Sequence, residues 1–136
     1  MKVVLDPGAF MPEYAHEADA GADLKSHIDA ILNGGDSVVI DTGVHIAIPN
    51  GFVGFLKSKS GLNVKSGILS EGVIDSGYTG SIRVKLYNHS REPFFIYKGQ
   101  KITQLVILPF LHADFKQVDA LDETERGNGG FGSTGV

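Results

Sequence analysis

Ile82-Arg83-Val84-Lys85-Leu86-Tyr87 is the stretch whose reading decides the fold. Three aliphatic side chains alternate with Arg, Lys and Tyr, a period of two that belongs to a strand with one face on a core and one in water. Upstream, Val44, Ile46 and Ile48 alternate in the same way with His45 and Ala47. Ser37 to Asp41 is a short β-branched run, and Phe52 to Leu56 follows the turn signal Pro49-Asn50-Gly51. Downstream, Ile102 to Leu108 reads as an apolar strand stopped by Pro109, and Phe115 to Val118 as a last short strand. The only helical candidate is a turn at Leu62 to Lys65. Many short strands between turn signals predict an all-β sandwich, jelly roll or barrel.

The chain has 136 residues, enough for one domain with a real core. Its 18 glycines are about 13% of the chain against an average near 7%. That excess implies tight turns or backbone that lies close to a ligand. The net charge of −4 leaves no broad basic face for a nucleic acid. There is no cysteine, which excludes disulfides and thiolate metal sites. Met1 to Phe10 does not read as a signal peptide and no apolar run is long enough to span a bilayer, so the expectation is a cytoplasmic protein with no membrane partner. From Asp119 onward few large apolar residues remain, which divides the chain into a core over 1–118 and a C-terminal arm over 119–136.

Five segments hold chemistry, each open to a plain structural reading. Arg126-Gly127-Asn128-Gly129-Gly130-Phe131-Gly132-Ser133-Thr134 nearly has P-loop spacing, but Ser133 stands where the lysine belongs and no helix can follow before Val136. Glycine-rich backbone there can still converge on an anion; the alternative is a disordered tail. Gly72-Val73-Ile74-Asp75-Ser76-Gly77-Tyr78-Thr79-Gly80 sets a carboxylate and an aromatic three apart in a glycine-bounded turn; an Asx turn and a core lid are the plain alternatives. Lys57-Ser58-Lys59-Ser60-Gly61 suits a polyphosphate or a solvated loop. Ala20-Gly21-Ala22-Asp23-Leu24 holds a lone acid, and Lys98 to Leu105 is a turn feeding a strand in which the face of Gln104 depends on register. The five histidines are scattered without ligand spacing. Acids, hydroxyls, glycines and cations remain, an inventory suited to magnesium-assisted attack on a phosphate.

Taken in order, these segments resemble the five motifs of the trimeric dUTPase family: Ala20 to Leu24, Lys59 to Leu62, Gly72 through Tyr78 and Gly80 to Asn88, Gly99 to Leu105, and Arg126 to Gly135. The third and fifth are the most specific. The resemblance implies a β jelly roll of the dUTPase-like β-clip type, assembled as a homotrimer in which a flexible C-terminal arm of one subunit closes over a site formed by the other two. It implies hydrolysis of dUTP to dUMP and pyrophosphate with Mg²⁺. Asp75 would activate the attacking water, and Tyr78 would pack under the deoxyribose and leave no room for a 2′-hydroxyl. Backbone at Gly72, Val73 and Ile74 would read uracil. Lys59, Ser60, Gly61 and Gln104 would hold phosphates, Asp23 would anchor the metal through water, and Arg126, Gly132 and Ser133 would grip the phosphates while Phe131 stacks on the base.

Two departures from the family pattern stand out. Lys59 replaces the usual arginine and cannot make its planar two-pronged contact, so the contact there is either weaker or passes to Lys57 as a single charge. The segment from Gly67 to Gly72 reads as a hairpin shorter than in many bacterial members. A dCTP deaminase of the same fold is the nearest alternative; it needs a glutamate at the base, and Glu71, expected in a surface turn, is the only acid in that hairpin. A phage dUTPase with an added regulatory protein partner is another.

Overall fold

The computed structural model describes residues 1–130. The strands are β1 (Lys2–Leu5), β2 (Gly21–Lys25), β3 (Ala30–Leu32), β4 (Ser37–Asp41), β5 (Val44–Ala47), β6 (Phe52–Lys57), β7 (Ile68–Ile74), β8 (Arg83–Asn88), β9 (Phe94–Ile96) and β10 (Lys101–Pro109), with one helix, α1 (Ser60–Ser66), between β6 and β7. Every strand pairing is antiparallel. A six-stranded sheet runs β2-β10-β6-β7-β8-β4, with the ribbons β1-β5 and β3-β9 beside it. The fold is an all-β jelly roll.

The alternation that opened the reading holds in three dimensions. Ile82, Val84 and Leu86 are buried while Arg83, Lys85 and Tyr87 face water. They meet Ile40 of β4, Val44 and Ile46 of β5, Leu56 of β6, Ile68 of β7 and Ile102 of β10 in one core. Each such side chain contributes roughly 1.5–3 kcal/mol by leaving water. β7 links the two halves of the curled sheet. Its first part, Ile68 to Ser70, pairs with β8, and its last part, Glu71 to Ile74, pairs with β6.

Buried polar groups are satisfied across strand boundaries, as burial demands. Asn88 donates from Nδ2 to the carbonyls of Leu32 (3.0 Å) and Glu92 (2.8 Å), and its Oδ1 accepts from the Ser90 amide (2.9 Å), so it pins the end of β8 to the β3-β9 ribbon. Ser70 of β7 and Thr103 of β10 share a hydroxyl–hydroxyl bond of 2.7 Å.

Several expectations need correction. Phe115 to Val118 is not a strand; Phe115 is 98% exposed and has no neighbouring strand to pair with. The strand expected to stop before Pro109 includes it, paired with Phe52 at the sheet's end, where a missing N–H costs little. The supposed hairpin from Gly67 to Gly72 does not exist. Gly67, at φ 66°, ends α1, and β7 then runs unbroken through Ser70, Glu71 and Gly72. Glu71 is therefore mid-strand rather than in a turn, and Lys57 donates to its carboxylate at 2.6 Å. Among the described residues no helix is long and apolar enough to cross a membrane.

Candidate functional site

The antiparallel register lines up one row of polar side chains across four strands: Asp23 (β2) opposite Gln104 (β10), Gln104 opposite Lys57 (β6), and Lys57 opposite Glu71 (β7). The open question of which face Gln104 takes is decided by an irregularity in β10. The pairing with β2 shifts between Lys101 and Thr103, so Ile102 and Thr103 are both buried and Gln104 turns away from Leu105. Its side chain then lies over Gly21. A Cβ on residue 21 would stand 2.5 Å from Gln104 Oε1 and 3.0 Å from its Cβ, so any side chain there would push the Gln104 carboxamide out of this position.

Asp23 is 4% exposed and carries charge. Lys59 and Lys101 both donate to it, Lys101 at 2.7 Å, and Glu13 lies alongside, paired to Lys25 at 2.8 Å and to Lys101 at 3.4 Å. Burial pushes the Asp23 carboxyl up, but the Lys101 and Lys59 hydrogen bonds and charges outweigh it and hold the group below its ordinary value. The same bond to Asp23 raises Lys101. Lys59 is also the N-cap of α1, and its side chain, spent on Asp23, makes no capping bond. Ser60 and Gly61 open the helix, with no Cβ contact within 4 Å at Gly61. The result is a dense network of lysines paired with Asp23, Glu13 and Glu71, beside the start of α1, at one end of the β6-β7 pair.

Asp75 and Tyr78 occupy the other end. Asp75 leaves β7 just after Ile74, exposed, and its carbonyl accepts from the Tyr78 amide at 3.0 Å to close the turn. None of the ion pairs among the described residues involves Asp75. The Tyr78 ring folds over Gly80, and its hydroxyl donates to the Ser81 carbonyl at 2.8 Å. Ser81 Oγ in turn donates to Asp41, which also accepts the Gly43 amide at 3.0 Å and faces Arg83 at 3.4 Å. Those contacts, the Ser81 bond first, hold the Asp41 carboxyl below its ordinary value against partial burial. Gly72, Val73 and Ile74 pair with Leu56, Phe55 and Gly54 along one edge only, because the ladder to β8 ends at Ser70. Their second backbone edge lies outside the ladders.

The two groups are not brought together within one chain. Asp75 follows Ile74, which sits opposite Gly54, whereas Lys59 lies beyond Lys57, opposite Glu71. Four residues of strand separate the two levels, about 13 Å at ~3.3 Å per residue. Arg126 lies in neither group; its Nε donates to the Gly129 carbonyl at 2.9 Å in an exposed local turn. Phe131, Gly132 and Ser133 fall outside the described residues. Sequence reasoning overlooked Lys101 and Glu13 beside Asp23, and Asp41 and His45 behind the Tyr78 turn. The spacing of Glu13 or Asp41 from the motifs gives no signal of these contacts, since strand pairing alone makes them.

Among the described residues no cluster of three or more His, Asp or Glu could cage a metal. Asp23 is the one nearly buried carboxylate here, and Lys59 and Lys101 already pair with it, so Mg²⁺ would reach it only through water and would take most of its ligands from a polyphosphate.

Comparison with known proteins agrees with this arrangement. A family model described as dUTPase matches residues 8–135. The chain is 48% identical over 130 residues to a deoxyuridine 5′-triphosphate nucleotidohydrolase of Cutibacterium acnes, covering 93% of this chain and 86% of the relative. It is 42% identical over 135 residues to that of Clostridium tetani, covering 97% and 93%. Among solved structures, the dUTPase of Staphylococcus bacteriophage 80alpha with dUPNHPP superimposes at a TM-score of 0.93 with 33% identity, covering 99% of this chain and 98% of that one. A mutant dUTPase from phage phi11 of S. aureus, solved for the coordination of a structural Mg(II) ion, superimposes at 0.82 with 31% identity, covering 88% and 96%. A match that spans all five segments, at this identity and on the same jelly roll, means that the chain belongs to the dUTPase family.

Proposed function

We propose that this chain, as a dUTP nucleotidohydrolase, splits dUTP into dUMP and pyrophosphate in a site that separate copies of the chain complete together. What supports the reading is the division just described: an exposed carboxylate and a braced aromatic lie at one end of the β6-β7 pair, and Lys59 with the start of α1 at the other, so the group that would activate water does not meet the groups that would hold phosphate within one chain. Juxtaposing one chain's patch with another's turn in a homotrimer would make a whole site.

In that site Lys59, the start of α1 at Ser60 and Gly61, and Gln104 bind the phosphate chain. If Lys59 moved to phosphate oxygens, Asp23 Oδ1 would be released while Lys101 kept Oδ2 at 2.7 Å, and Asp23 would then be the residue to hold Mg²⁺ through water. When bound, the metal supplies charge neutralisation on the non-bridging oxygens. The free backbone edge of Gly72 to Ile74 reads uracil. Tyr78 packs against the sugar and refuses a 2′-hydroxyl. Asp75, exposed and in no ion pair among the described residues, orients a water in line with the α-phosphorus and takes its proton as the P–O bond to the leaving pyrophosphate breaks. Arg126 and the residues after it, Phe131, Gly132 and Ser133 among them, close over the nucleotide as an arm and exclude water. The bacterial and phage sources of the relatives point to the cytoplasm of a bacterium or of a phage-infected cell. The 80alpha dUTPase is described as controlling transfer of virulence genes by a G protein-like mechanism; a regulatory protein partner is the corresponding second reading for this chain.

The test is complementation. Asp75→Asn alone should fold, bind dUTP and lose roughly 10²–10⁴-fold in kcat, the usual worth of a general base. Ser60→Ala together with Lys59→Ala should be nearly inactive through its phosphate patch. Co-refolding the two dead chains should restore activity, because some sites then combine an intact turn with an intact patch. Absence of any recovery in verified mixed oligomers would refute the shared site. Release of ammonia from dCTP in place of pyrophosphate from dUTP would refute the chemistry.

A further inference from the structure

His45 projects from β5 between two acceptors. Its Nδ1 lies 2.9 Å from the Thr79 carbonyl oxygen and its Nε2 3.3 Å from Asp6 Oδ1. Neither a carbonyl nor a carboxylate can donate, so each contact is a hydrogen bond only if the ring nitrogen carries the proton. A neutral imidazole has one N–H and can serve one of the two; the imidazolium serves both. The charged groups facing the ring are Asp6, in the loop after β1, and Asp41, at the end of β4, with Arg83 of β8 beyond and turned toward Asp41. The Thr79 carbonyl raises the imidazole above its ordinary value most, partial burial opposes it, and Asp6 and Asp41 add to the rise.

Thr79 is the residue after Tyr78. On its C-terminal side the turn is already fixed through the Tyr78 hydroxyl on Ser81, Ser81 on Asp41, and the Ile82 amide on the Val44 carbonyl at 2.9 Å. We propose that His45 is a positioning residue for sugar recognition: bridging Thr79 and Asp6, it fixes the turn that carries Tyr78 and so sets how firmly a 2′-hydroxyl is excluded. The inference rests on the sugar role given to Tyr78 above. It adds a pH dependence. The bridge is complete below the ordinary histidine value of 6.5 and loses one of its two bonds as pH rises through the higher native value.

The experiment follows ring and turn in the full-length protein by NMR, then asks for the consequence in kinetics. The His45 ring should titrate above 6.5, and the Thr79 and Gly80 amides should move with the same midpoint. Asp6→Asn should lower that midpoint for ring and amides together, and His45→Gln should abolish the amide titration. In kcat/KM, the preference for dUTP over UTP should fall roughly 2- to 10-fold in His45→Gln, the worth of one hydrogen bond, and should no longer vary with pH across the parent's ring titration. A ring that titrates at or below the ordinary value, amides that ignore it, or an unchanged dUTP-to-UTP preference in His45→Gln would overturn the proposal. Failure of the Tyr78 reading shows separately. An unchanged preference in Tyr78→Ala, with the amides still following His45, overturns the sugar role and leaves the clamp standing.

Discussion

Gly80→Ala isolates the packing of the Tyr78 ring. A Cβ at residue 80 would lie 2.6 Å from the Tyr78 hydroxyl oxygen, 2.7 Å from Cζ and 3.0 Å from Cε2. Carbon atoms rest at about 3.5–4.0 Å, so the ring must withdraw by roughly 1 Å. With 43% of Tyr78 exposed the ring has room to swing outward, and the site avoids the ~1–3 kcal/mol of a core overpacked on all sides. What it loses is the 2.8 Å bond from the Tyr78 hydroxyl to the Ser81 carbonyl, worth about 0.5–1.5 kcal/mol. If that energy holds the ring where the sugar packs, the substitution should lower kcat/KM for dUTP by roughly 2- to 10-fold and should narrow its preference over UTP. Gly77→Ala is the control in the same turn, because none of the described residues beyond its chain neighbours lies within 4 Å of a Cβ there. Steady-state kinetics on both nucleotides, beside Tm for both variants, makes the comparison. Equal kinetics for Gly80→Ala and Gly77→Ala would refute the reasoning.

Tyr78→Ala should cost more in discrimination against UTP than in dUTP binding, read as the ratio of kcat/KM values; a constant ratio contradicts steric exclusion by the ring. Removal of residues 127–136 should leave Tm within a few degrees of the parent, since the core strands end at Pro109, while turnover falls by at least roughly tenfold, the equivalent of about 1.4 kcal/mol of transition-state contacts; full activity of the shortened chain would rule out the arm. Asp41→Asn should lower the urea midpoint at neutral pH. The native Asp41 carboxyl titrates below its ordinary 3.8, so its stabilisation is present above that value and is lost as pH falls through the lower native one. The gap to the parent should therefore close in acid, and a gap that stays constant down to the acid transition would show that the Ser81, Gly43 and Arg83 contacts carry no net weight.

The sequence by itself determined the strands that have one wet and one dry face. Ile82, Val84 and Leu86 announce β8, and Val44 and Ile46 announce β5, because a period of two is a local property that burial on one side writes directly into the chain. It also determined, through five ordered motifs, the family and hence the residues expected to act. Other strands were hidden for physical reasons. β2 is Gly21-Ala22-Asp23-Leu24-Lys25, nearly all buried, so it shows no alternation. β7 carries Ser70, Glu71 and Gly72, which read as a turn until the flanking strands supply its hydrogen bonds. β3 and β9 are three residues each, too short for any period. Only the tertiary structure decided which face Gln104 takes, that Asp23 is held by Lys59 and Lys101, that Asp41 and His45 stand behind the Tyr78 turn, and that Asp75 lies at the far end of the strand pair from Lys59. Each of these is a spatial relation between residues distant in the chain, set by strand pairing and, for Gln104, by one irregularity in β10; no local pattern encodes a register, because the energy that selects it comes from the partner strand.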